Sequence, residues 1–141
     1  MKRQKELLAL ACAAYIGLML VALTGCATDK LRNNSYKMLG SYTVAVETAA
    51  DVAENPLTPD GVVKGIKDAK DVASPVVKTF HDQLRDYADL QDQIAGIRAA
   101  GGIPSVVTLA QVDAALIALE KSYEQVAPLI ADLINHVGRK L

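Results

Sequence analysis

The chain has 141 residues, 15 of them basic and 16 acidic; half are apolar, only 4% are aromatic, and Trp is absent. That length holds one domain or two and excludes a large multidomain enzyme. A net charge of −1 with no basic block argues against nucleic acid as a partner, and two Cys cannot build a disulfide scaffold.

The first twenty-five residues stand apart. Lys2, Arg3 and Lys5 make a positive start offset only by Glu6, and Leu7 to Leu23 carries no charge over seventeen residues. A basic segment, an apolar segment and then small residues is the order of a secretory signal, and the positive end stays in the cytoplasm while the rest is exported. As a helix rising 1.5 Å per residue the apolar run spans about 26 Å, near the lower limit for a permanent membrane anchor. Length alone therefore does not separate a cleaved signal from a retained helix.

The junction Leu23-Thr24-Gly25-Cys26 does separate them. It resembles the lipobox of bacterial lipoproteins, an aliphatic residue and two small ones before Cys, at the end of the apolar run. The resemblance covers about twenty-seven residues. It implies diacylglycerol on the Cys26 thiol, cleavage between Gly25 and Cys26, and an acylated N-terminus. Residues 1–25 are then a signal peptide and 26–141 the mature body. By the sorting rules of that class, Ala27 favours the outer membrane, because Asp at that position is the usual inner-membrane retention signal. Cys12 is lost with the signal, so no thiol remains for a disulfide, a metal or a nucleophile.

The mature body has 12 basic and 15 acidic residues, much Ala, and no sustained apolar/polar alternation; helix is favoured over strand. A first helix is expected from about Asp29 to Glu54, with Leu39, Tyr42, Val46, Ala49 and Ala53 on one stripe. Gly40-Ser41 weakens it by about 1 kcal/mol relative to Ala, but lets a neighbour come close. Asn55-Pro56 stops it, since the residue before Pro avoids the α region. Thr58 as N-cap and Pro59 in the first turn open a second segment. Its stripe is Val62, Ile66, Ala69, Ala73 and Val76, then Phe80, Leu84, Tyr87, Ile94 and Ile97, ending at Gly101-Gly102. Ser74-Pro75 repeats the cap-and-Pro signature, and a break or strong kink is expected there.

The last helix has the clearest pattern. Leu109, Val112, Leu116, Leu119, Tyr123, Val126, Ile130, Leu133 and Val137 step alternately by three and four without a miss. Thr108 and Gln111 read as a capping box, with Val107 stapled on Val112. Pro128 should kink this helix, and Gly138 should end it. Short connections make consecutive helices antiparallel neighbours. The expected fold is all-α, an antiparallel three- or four-helix bundle behind a signal helix; the rival packing for so regular a last helix is a homodimer.

Candidate sites are few. Asp82, Asp86 and Asp89, with Asp92 near and Arg85 between, share a face that reads as a solvated acidic surface rather than a divalent-cation site. Asp132 and His136 stand four apart, but two ligands do not complete a metal site and His81 is the only other His. Lys64–Asp68 and Lys67–Asp71 are surface pairs, and Tyr42, Tyr87 and Tyr123 fall on the stripes as core or rim residues. No nucleophile elbow, phosphate loop or His-Glu-x-x-His motif occurs, so neither catalysis nor a cofactor is expected.

The expected function is that of a non-enzymatic, lipid-anchored interaction and tethering protein on the periplasmic face of the outer membrane. It is held to the bilayer through acylated Cys26 and faces an envelope protein partner that the sequence does not identify. The body also loosely resembles small helical lipoproteins of phages and prophages. That resemblance implies the alternative of superinfection exclusion or lysis, although lysis partners of this kind are usually short and rich in proline, unlike this chain.

Overall fold

The computed structural model describes residues 29–138. The signal peptide at 1–25, its cleavage between Gly25 and Cys26, lipid attachment at Cys26, Cys12 and Ala27 all lie outside the described residues. The chain divides into two compact units, 1–33 and 34–141. Of the first, residues 29–33 are described, and they are helical. The described residues of the second hold three helices: α1, helical over 29–54 and part of this unit from 34 on, α2 Asp60–Ala99 and α3 Val106–Gly138. There is no strand among the described residues.

α1 ends at Glu54 as expected, and it is already helical at Asp29, where the described residues begin. Ala45 and Ala49 are buried on Ile66 of α2 and on Leu133 and Val137 of α3, with Tyr42, Val46, Val52, Val62 and Ala69 packed around them. The turn after α1 uses its polar residues differently from the sequence expectation. Asn55 Oδ1 accepts from the Leu57 N–H at 3.0 Å, and the Thr58 hydroxyl donates to the Val52 carbonyl at 2.8 Å. Thr58 therefore satisfies the end of α1 and does not cap α2. The cap position of α2 is Pro59, whose carbonyl accepts from Val62 and Val63 N–H and whose side chain makes no cap bond.

α2 is one helix of forty residues, about 60 Å long at 1.5 Å per residue. The break expected at Ser74-Pro75 is not there, and the bundle has three helices rather than four. Ala73 and Val77 bracket the proline on the core side, while Pro75 itself is exposed. The carbonyl that loses its donor, that of Asp71, belongs to an exposed residue that water can reach. Ser74 sends its hydroxyl to the Lys70 carbonyl at 2.7 Å, and its oxygen meets the Tyr42 hydroxyl at 2.8 Å. With the serine proton already committed, Tyr42 is the donor, and α1 is fastened to α2 beside the proline. Continuity also corrects the stripe. Val77 is buried and Val76 only half-buried, because an unbroken helix keeps the steps 73, 77, 80, 84, 87.

α2 ends in a Schellman motif. Gly101 has φ +75°, its N–H donates to the Arg98 carbonyl, and the Gly102 N–H donates to the Ile97 carbonyl. A side chain at Gly102 would press on the Ile97 backbone at 3.1 Å. α3 then begins earlier than expected. Ser105, not Thr108, is the cap: its Oγ accepts the Thr108 N–H at 3.1 Å and shares a 2.8 Å bond with the Thr108 hydroxyl. Ser is the stronger capping residue and follows Pro104 directly, so the helix nucleates there. The staple on Val107 fails with the register, and Val107 is exposed.

α2 and α3 form an antiparallel hairpin. Gly65 lies beside His136 at one end, and Ser122 donates to Gln83 Oε1 further along. Phe80, Leu84, Tyr87, Leu119, Val126 and Leu133 are almost wholly buried between the helices. Each such side chain contributes about 1.5–3 kcal/mol by leaving water. Phe80 and Tyr123 pack in a T-shaped arrangement with ring centroids 6.1 Å apart.

Candidate functional site

The acidic face of α2 pairs along its own helix. Lys78 Nζ lies 2.9 Å from Asp82 Oδ2, and this bond, then the charges of Lys78, Arg85 and His81, holds the Asp82 carboxyl below its ordinary value despite some desolvation. Asp86, Asp89 and Asp92 are exposed residues on the same stretch. Lys78 is a partner the sequence reading overlooked; it stands four residues before Asp82, the spacing at which helical neighbours meet.

Asp132 and His136 come together, yet the contact is structural. His136 Nδ1 lies 2.9 Å from the Asp132 carbonyl and 3.4 Å from its carboxylate. The other edge of the ring covers Gly65, with Cδ2 only 3.2 Å from where a Gly65 side chain would begin. His136 therefore closes one end of the hairpin. No group of three His, Cys, Asp or Glu among the described residues is placed to hold a metal ion. The expected pair Lys64–Asp68 forms at 3.1 Å; Lys67 and Asp71 do not join. The tyrosines are core and rim residues as expected: Tyr87 is fully buried and accepts from Gln91 Nε2 at 2.7 Å, while Tyr42 and Tyr123 are half-buried.

Two apolar features remain that pattern reading did not single out. The first is a groove of 530 Å³ between α1 and α3, with Gly40, Val44, Ala45 and Thr48 on one wall and Ile134 and Val137 on the other. The close approach expected at Gly40-Ser41 does not happen: nothing lies within 4 Å of a side chain added at Gly40. The groove has no charged wall, and its hydroxyls are spent on their own helix, Ser41 on the Lys37 carbonyl and Thr48 on the Val44 carbonyl.

The second is the tip of the α2–α3 hairpin. From Ala99 to Val112, fourteen residues carry no charge. Ile103 is 92% exposed, Val106 83%, Val107 68% and Leu109 40%. Turns between helices are ordinarily polar; the uncharged run centred on Gly-Gly-Ile-Pro was the signal available in the sequence. No family model, no curated protein and no solved structure matches this chain.

Proposed function

We propose that this chain is a lipid-anchored, non-enzymatic helical protein of the bacterial envelope. It would be fixed to a leaflet by acyl chains on Cys26 and would present its bundle to partners in the extracytoplasmic space. The observation that carries the reading is the tetrad Leu23-Thr24-Gly25-Cys26 at the end of an uncharged seventeen-residue run. Ala27 after the cysteine favours the outer membrane. Each buried lipid methylene contributes about 0.8 kcal/mol, and a single chain holds only marginally, so two or three chains make the attachment lasting.

The mechanism is tethering. Confinement at a surface raises the effective concentration of the bundle for other membrane-bound proteins without any new contact. The architecture suits this role: α2 and α3 are long helices, about 60 and 50 Å, that carry their apolar contacts on one side and leave charged faces to water. The test is Cys26→Ser. The variant should accumulate as a larger precursor that takes up no labelled fatty acid, whereas the parent loses twenty-five residues and gains the mass of the lipid. Equal labelling of the two would end the proposal.

A further inference from the structure

The charge-free tip of the α2–α3 hairpin is the feature this function leaves unused. We propose that it is a second, shallow membrane contact: residues 99–109 enter the interfacial region of the bilayer that carries the anchor. The proposal rests on the lipid-anchor reading for the choice of bilayer and on the geometry of the tip for the contact itself.

The side chains fit such a surface. Ile103, Val106 and Val107 are the most exposed large apolar residues of the hairpin turn, and exposure of three together is otherwise unfavourable. The first charge met below the crown is Arg98, in the last turn of α2; Asp113 lies seven residues inside α3, about 10 Å further down. An apolar crown with one cation, Arg98, beneath it complements the negative head groups of a bacterial leaflet.

The backbone fits as well. Irregular loops are excluded from hydrocarbon by their unbonded amides, but this turn has few to satisfy. Ala100, Gly101 and Gly102 donate to the end of α2, Thr108 and Leu109 donate to Ser105, and Pro104 has no N–H. Ile103, Ser105, Val106 and Val107 remain for head groups and interfacial water, which sets the depth at the interface, about 5–10 Å.

Chain direction is favourable, since α1 from Asn34 onward starts on the tip side of its contacts with α3. Asn34 and Tyr123 line one groove, while Ala49 packs on Val137, so α1 read backwards heads toward the tip. From the level of Tyr123 the tip at Val106 lies seventeen helical residues further, about 26 Å.

The experiment uses the full chain purified from membranes and placed in phosphatidylethanolamine/phosphatidylglycerol vesicles containing nitroxide-labelled lipid. An environment-sensitive fluorophore is attached at Val106→Cys or, at the opposite end of the bundle, at the equally exposed Leu57→Cys. Signal from the unsubstituted chain carried through the same labelling is subtracted. Quenching at 106 should exceed that at 57 by several-fold, and adding Ile103→Glu should abolish the excess without moving the thermal midpoint. Equal quenching at the two positions overturns the proposal. So does a blue shift at 106 that needs no vesicles and grows with protein concentration, which would mean that a second copy covers the tip. Intact mass of the same sample separates the two readings. Acylated protein without excess quenching removes the tip contact alone; unmodified protein that still quenches at 106 removes the anchor alone.

Discussion

Asp82 shows how little a paired carboxylate has to mean on a helix surface. Its bond to Lys78 is the largest cause of its lowered pKa, and both side chains are well exposed, so the pair adds little to stability. The sign is nevertheless definite. A carboxylate held below its unfolded value contributes stability that is present above that value, 3.8, and is lost as pH falls through the folded one. Lys78→Met should raise the Asp82 pKa toward its ordinary value and shift the acid edge of stability to higher pH. Carbon-detected NMR of the side-chain carboxyls checks this, and an Asp82 titration identical in the two proteins would assign the shift to Arg85 or His81 instead. High salt should produce the same movement in the parent chain, because the charges are exposed to the screening ions.

At the scale of the element, what was legible in the sequence was periodicity, and what was not was competition between local signals. The α3 stripe from Leu119 to Val137 is buried almost as spaced, because steps of three and four keep one face against α2 over many turns. Its first members fare less well, and Leu109 stays 40% exposed near the hairpin tip. The break expected at Pro75 is absent because a cap-and-Pro signature is a rule about isolated helix starts, whereas Ala73, Val77 and Phe80 bury enough surface to hold the helix through it. Thr58 and Thr108 were misplaced by a related error. Each hydroxyl had a nearer partner, the Val52 carbonyl and the Ser105 side chain, that only the folded turn brings into reach. The apolar tip was half legible: its lack of charge is in the sequence, but its exposure depends on where the hairpin turns. The seam itself is open to a direct test. Leu119→Asp places a carboxylate where no water reaches and should cost about 4 kcal/mol or more, enough to unfold the body. Ile117→Asp, on a position 65% exposed, should change stability by no more than about 0.5 kcal/mol. Thermal melts of the two variants give the comparison; similar midpoints would mean that Leu119 does not face a core.

Across the bundle the three helices are not held equally. The α2–α3 hairpin closes on Phe80, Leu84, Tyr87, Leu119 and Val126, all essentially inaccessible. α1 contributes mainly Ala45 and Ala49 to its cluster with Ile66, Leu133 and Val137. An alanine buries roughly one methyl group, so each of these contacts is worth far less than a Leu or Phe. Grooves run along both flanks of α1, one toward α3 at Val44 and Ile134 and one toward α2 between Ala53 and Lys70, and each removes dispersion contacts from the helix that lines it. Against this, α1 has the Tyr42–Ser74 bond and the Thr58 hydroxyl at its end. The balance makes α1 the unit of lowest local stability, able to open while the hairpin stays folded. Native-state hydrogen exchange should show amides of residues 38–54 exchanging through an opening of lower free energy than those of residues 77–88 and 119–133. Tyr42→Phe, which deletes the link to Ser74 and leaves the ring in place, should lower protection in α1 by the worth of one hydrogen bond, about 1 kcal/mol, with little change in the hairpin. Uniform protection across all three helices, falling together in the variant, would show a single cooperative unit.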